Sequence, residues 1–136
     1  MADGEKMTES IFVSSDTGIF TACQWTLVKI VGFFGQKHGA TVREIWDCVH
    51  RFSGFIREEI GPFIFWLGPG ITVEKALDRM SNLDILICHH SVKRYTLSSK
   101  GEQALKEKIP EIVRILNFRD DEEFNDILSK CINCVE

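Results

Sequence analysis

Two pairs of side chains in this 136-residue chain have the chemistry of metal ligands. Cys131 and Cys134 form a C-x-x-C pair, and His89 and His90 are adjacent near the middle of the chain. A structural zinc site draws on two such pairs at defined spacing, and a second cysteine pair is missing here. A redox role for C-x-x-C would need a preceding thioredoxin-like strand, which the sequence does not offer. Cys131 also falls on an apolar helical stripe, so we expect core packing there and neither metal nor cofactor.

Sequence patterns that mark catalysis are missing as well. The chain has no G-x-x-x-x-G-K-[ST] loop, no G-x-G-x-x-G after a strand, and no G-x-S-x-G or H-E-x-x-H motif. Glu58 and Glu59 are a carboxylate pair, but adjacent residues of a helix point in different directions. We therefore expect a protein that is not an enzyme and has no catalytic residues.

Basic side chains recur where they suit contact with nucleic acid. Lys75 and Arg79 lie four residues apart and share one face of a helix, as contacts with guanine edges or phosphates require. Glu74 and Asp78 lie on a neighbouring face, and their negative charges partly cancel the positive field of Lys75 and Arg79. The alternative is a mixed, solvated helix surface with internal ion pairs.

The stretch from residue 71 to 105 predicts the elements that carry these cations. Apolar spacing predicts a helix, and two short β-prone runs on either side of a polar turn predict a ribbon. The predicted elements are a helix over 72–82, strands over 85–88 and 92–97 around a turn at 89–91, and a helix capped by Ser98 or Ser99.

The run Tyr-Thr-Leu-Ser-Ser-Lys-Gly at residues 95–101, together with this order of elements, resembles the winged helix-turn-helix superfamily. The resemblance implies an α+β fold in which the helix at 72–82 recognises double-stranded DNA and the ribbon is a wing. Few cations imply modest affinity, so a transcriptional regulator would act as a dimer on two half-sites. The candidate DNA contacts are Arg43, Thr72, Lys75, Arg79, His89, His90, Lys93 and Arg94.

Two earlier helices complete the predicted winged-helix domain, which we assign to residues 16–108. Asp16 or Thr17 is the predicted cap of the first helix. The apolar face of that helix is Ile19, Phe20, Cys23, Leu27, Ile30, Val31 and Phe34. Thr41 and Glu44 form the capping box of the second helix. The side chains it is expected to bury are Val42, Ile45, Trp46, Val49 and Phe52.

An apolar insertion over residues 51–70 separates the second and third predicted helices. Glycine and proline bracket its aromatic residues, so it either fills the core as an elaborated turn or exposes a partner-binding surface. The candidate partner contacts are Phe63, Phe65 and Trp66. Residues 60–105 are also similar to winged-helix accessory components of SMC-type ATPases and defence systems, which implies a non-enzymatic interaction subunit as the alternative function.

Flanking segments complete the chain. We expect residues 1–15 to be flexible and residues 109–136 to form a helical extension. Pro110 is expected to begin a new helix after a break, and an acidic start at 119–123 precedes the last one. These helices either form a dimer arm or pack on their own core.

Composition narrows the class of protein further. A hydrophobic content of 44% over this length predicts one domain with a substantial core. The net charge is −4, and residues 109–136 alone carry seven acidic against three basic side chains. An odd number of cysteines, without an export signal or an apolar run long enough to span a membrane, predicts reduced thiols in a cytoplasmic protein. Cys23 and Cys48 are expected in the core.

Overall fold

The computed structural model describes residues 12–15, 18–35, 39–61 and 65–133, and within them the chain forms five helices and four strands. The fold is α+β, as expected. The elements are β1 (Phe12–Ser15), β2 (Gly18–Thr21), α1 (Ala22–Gly35), α2 (Val42–Glu59), α3 (Val73–Asn82), β3 (Leu86–His89), β4 (Arg94–Leu97), α4 (Ser99–Ile115) and α5 (Asp121–Asn133). The strands form two antiparallel pairs, β1 with β2 and β3 with β4.

The N-terminal hairpin corrects the prediction that a helix begins at residue 16 or 17. Gly18–Thr21 is a strand, and its Thr21 lies opposite Phe12. Thr21 and Gln24 then cap α1 reciprocally, because each backbone amide donates to the other's side chain, at 2.8 and 3.0 Å. The helical spacing of apolar residues begins at Ile19 and Phe20, before this cap, so it did not indicate the change from strand to helix at Ala22. Of the segment expected to be flexible, residues 1–11 lie outside the described residues.

Helix α1 lies at the centre of the fold. All side chains from Thr21 to Val31 are buried, so this helix is enclosed on every side. It contacts α2, α4, α5 and strand β4. Lys29 is buried among them, and its ammonium group lies 3.2 Å from the Asp121 carboxylate and 5.0 Å from the centre of the Phe124 ring. The predicted core position of Cys23 is confirmed, and burial raises the pKa of its thiol to about 11.

Helix α2 begins as predicted and extends further. The Thr41 hydroxyl accepts from the Glu44 amide, and the Glu44 carboxylate accepts from the Thr41 amide. The helix continues to Glu59, so the first half of the predicted insertion is helical. Ile45, Val49 and Phe52 are buried as expected. Trp46 is not: its side chain is 47% exposed, because it lies one residue, about 100°, around the helix from Ile45.

Ribbon β3–β4 is tied to the segment between α1 and α2. Cys88 lies opposite Tyr95, and Ala40 bridges Tyr95 from the other side through two backbone hydrogen bonds of 2.9 and 2.8 Å. A side chain on Gly39 would meet the Tyr95 carbonyl at 2.9 Å, so this close approach requires glycine. The ribbon therefore has a fixed position relative to the start of α2.

The C-terminal helices pack on the core of the same chain. Helix α4 begins with Ser98 as its cap and runs unbroken through Pro110 to Ile115, which corrects the expected break. Proline removes one helical hydrogen bond, but the continuing helix brings Ile112 and Val113 into the core. Helix α5 buries Phe124, Leu128 and Cys131. Of the two roles considered for it, packing on its own core is the one observed.

Candidate nucleic-acid interface

Helix α3 is a short capped helix with one buried and one exposed face. The Thr72 hydroxyl accepts from the Lys75 amide at 3.1 Å, so the first of the candidate contacts also serves as the helix cap. Ala76, Leu77 and Met80 form the buried stripe. Lys75 and Arg79 are exposed one turn apart on the outer side of the helix.

A buried tyrosine connects α3 to the ribbon. The Tyr95 hydroxyl donates to the Asp78 carboxylate at 2.8 Å. Burial, and then this hydrogen bond, raise the pKa of Tyr95 above its ordinary value. Asp78 thus holds the helix against β4.

Lys93 lies in the turn of the ribbon with His90, and His89 is the last residue of β3. Lys93 is exposed and has a φ of 53°, a left-handed conformation that turns often require. The His89 Nε2 atom lies 2.9 Å from the Thr96 hydroxyl, and the His90 Nδ1 atom lies 3.6 Å from the Cys88 thiol. His90 and Asp78 also line one open cleft, of about 540 Å³, between α3 and β3.

Arg94 is engaged inside the chain by two acceptors on other elements. Its guanidinium donates to the Gly39 carbonyl and to the Glu44 carboxylate, both at 3.2 Å. Its side chain is 34% exposed. The same carboxylate caps α2, so Arg94 joins the ribbon to the start of that helix. Arg43 beside it is 87% exposed, with Asp47 at 3.9 Å.

The structure brings these residues together in two groups. One group joins the start of α2 to β4 through Glu44 and Arg94, and Arg43 is the residue next to Glu44. The other joins α3 to the ribbon through Asp78, Tyr95 and the turn residues. Sequence reasoning missed the tyrosine, although its position opposite Cys88 follows from a hairpin register that places it on the inner face.

The aromatic segment before α3 is attached to the core and partly exposed. Phe63 lies outside the described residues. Phe65 is half-buried, and its ring is perpendicular to that of Phe52, with 6.3 Å between centroids. Trp66 is 37% exposed, and its carbonyl accepts from the Thr21 hydroxyl at 3.1 Å. The segment therefore packs on the core through Phe65 and leaves Trp66 partly exposed.

Two of the described cysteines are neighbours in the core. Cys48 and Cys131 are fully buried, where their mutual hydrogen bond and burial raise the pKa of the Cys48 thiol. Cys134 lies outside the described residues. In the part of the chain that the structure describes, no three His, Cys, Asp or Glu side chains are grouped to hold a metal ion.

Comparisons with known proteins give no relative to guide an assignment: no family model, no curated protein and no solved structure matches this chain. Among the described helices, none combines the length and apolar character needed to cross a membrane. The function therefore has to be argued from the residues themselves.

Proposed function

We propose that this chain is a winged-helix DNA-binding protein that regulates transcription as a dimer. The order of three helices followed by a two-stranded ribbon supports this fold, as does the Ala40 bridge that fixes the ribbon beside α2. The observation that carries the function is the exposed pair Lys75 and Arg79 on α3, a helix held rigidly against the ribbon by Tyr95. A recognition helix needs a fixed orientation relative to the rest of the domain when it enters the major groove.

The exposed cations set the expected strength of binding. Arg43, Lys75, Arg79 and Lys93 are exposed, whereas Arg94 is engaged with Glu44 and contributes mainly to positioning. Each phosphate contact steepens the dependence of log K on log salt by about 0.9. Four contacts correspond to modest affinity for one copy, and two half-sites bound by a dimer raise it.

Binding to a 30-base-pair duplex of random sequence, measured between about 50 and 200 mM salt, tests this proposal. The variant Lys75→Ala/Arg79→Ala is expected to bind more weakly and to lower the salt slope by about 2. Lys106→Ala/Arg114→Ala removes two charges from exposed positions of α4 and serves as the matched control. The proposal fails if the wild type does not bind at low salt, or if the control loses as much affinity.

A second candidate function is a winged-helix interaction subunit of a larger complex, for example with an SMC-type ATPase in a defence system. The exposure of Trp66 beside the buried Leu67 favours it, because large exposed aromatics mark interaction sites. A folded wild-type chain that binds no duplex at low salt would favour this second function over the first.

A further inference from the structure

An apolar groove lies between α2 and the segment leading into α3, away from the candidate contacts Lys93 and Arg94. It has a volume of about 700 Å³. Its apolar walls are Val42, Val49, Phe65, Leu67, Ile71 and Val73. Trp46 also lines it, and this side chain is 47% exposed, with its ring 4.0 Å from the His50 ring. A half-exposed tryptophan beside an apolar groove is typical of a hot spot in a protein–protein interface.

Opposite charges face each other across this groove. Arg57 and His50 line it from α2, and Glu74 lines it from the first turn of α3. Within the described residues, neither Arg57 nor Glu74 forms an ion pair, and both side chains are exposed. The groove therefore offers one cation and one anion for contacts with another molecule.

We propose that two copies of this chain pair through this groove, with the Trp46 ring of each copy in the groove of the other. In a two-fold interface the same surface meets itself, so every group needs its counterpart on that surface. Arg57 of one copy then meets Glu74 of the other, and the reverse contact follows by symmetry. A purely acidic or basic partner would leave one of these two charges unpaired. The inference rests on the proposed function and deepens it, because it supplies a dimer that can bind two half-sites.

Pairing through this surface leaves the two cations of α3 accessible, whereas the candidate contact Thr72 lines the groove. Successive residues of a helix are about 100° apart, so Lys75 and Arg79 point about 100° and 140° away from Glu74 around α3. One side of α3 thus faces the groove, and another carries the cations.

The oligomeric state of the full chain tests the pairing. Sedimentation equilibrium of the wild type at about 1–100 μM is expected to show a monomer–dimer equilibrium. Trp46→Ala is expected to weaken dimerisation at least about 30-fold, the effect typical of a hot-spot residue. Ile87→Ala is the matched control, because Ile87 is 46% exposed on the ribbon, outside the groove.

Charge reversal distinguishes the predicted pairing from any other dimer. Arg57→Glu and Glu74→Arg are each expected to be monomeric, because two like charges then meet twice across the interface. An equimolar mixture of the two variants is expected to form a heterodimer, since each unlike pair is restored. Arg114→Glu and Glu107→Arg, both on the exposed side of α4, are expected to leave the dimer unchanged.

Several results would overturn the pairing: a wild type that stays monomeric at all concentrations, Trp46→Ala chains that dimerise normally, or mixed charge variants that do not associate. Circular dichroism checks that each variant is folded. The two proposals fail separately. A monomer that binds DNA through Lys75 and Arg79 contradicts the pairing and the dimeric state but not DNA binding, whereas a dimer that binds no duplex contradicts only the DNA function.

Discussion

Helix α1 and ribbon β3–β4 contact each other, but different interactions hold them in place. Every side chain of α1 from Ala22 to Val31 is buried, including Lys29 with its ion pair to Asp121. The ribbon exposes Ile87 and Val92, at 46% and 59%. Besides its buried Leu86 and Tyr95, it is held by a few specific hydrogen bonds to its neighbours. Stability is therefore concentrated around α1, and the surface proposed to bind is built from small, exposed elements.

The largest expected effect is on the α1 side of this comparison. Phe124 is fully buried, and its ring stacks on that of Phe118 at 4.9 Å. Phe124→Ala is expected to lower the free energy of unfolding by about 3–5 kcal/mol, because it removes apolar contacts and leaves a cavity. Val92→Ala on the ribbon should change it by less than about 0.5 kcal/mol. Urea denaturation of both variants measures the difference, and equal losses would contradict the contrast.

A smaller effect is expected where α4 packs on the segment leading into the ribbon. A side chain at Gly101 would come within 2.9 Å of the Ile85 carbonyl carbon and of the Leu97 side chain. Gly101→Ala is therefore expected to destabilise the chain by about 1–3 kcal/mol. Gly54 lies within α2 with no atom within 4 Å of the added carbon, so Gly54→Ala should stabilise it by about 0.5–1 kcal/mol. Opposite signs in thermal melts are the expected outcome. A Gly101→Ala variant that melts as high as the wild type would show that close packing at Gly101 does not matter.

The smallest effect separates two neighbours on the ribbon. Arg94→Ala removes hydrogen bonds to Gly39 and Glu44 and is expected to cost about 1 kcal/mol of unfolding free energy. Lys93→Ala should change stability by less than about 0.5 kcal/mol and lower the salt slope of duplex binding by about 0.9. Measuring stability and duplex binding for both variants tests whether Arg94 positions the ribbon while Lys93 contacts DNA. This assignment is wrong if Arg94→Ala weakens DNA binding without loss of stability.

Local signals predicted the elements of the candidate site well. The apolar stripe of α3 and the polar turn of the ribbon each depend on neighbouring residues. The predicted helix and hairpin are confirmed, with Thr72 as the cap and β3 ending one residue later than predicted. The capping box at Thr41 is confirmed for the same reason. The prediction that these elements bind DNA remains the proposal above.

The sequence predictions were wrong where contacts between distant parts of the chain outweigh the preferences of neighbouring residues. Pro110 predicted a break, but packing of Ile112 and Val113 keeps α4 continuous. Trp46 was expected in the core because tryptophan is large and apolar, yet its angle on α2 leaves it at the groove. The partners of Arg94 come from a glycine and a glutamate about fifty residues away, and no local pattern contains that information.

The sequence by itself determined the α+β class, most of the helices and the ribbon, because capping, apolar period and turn chemistry act over a few residues. The tertiary structure alone decided which cations remain exposed and which tryptophan lines a groove. It also decided that the C-terminal helix belongs to the core. Those outcomes depend on which surfaces meet when the helices pack, and contacts between residues far apart in the chain set that arrangement.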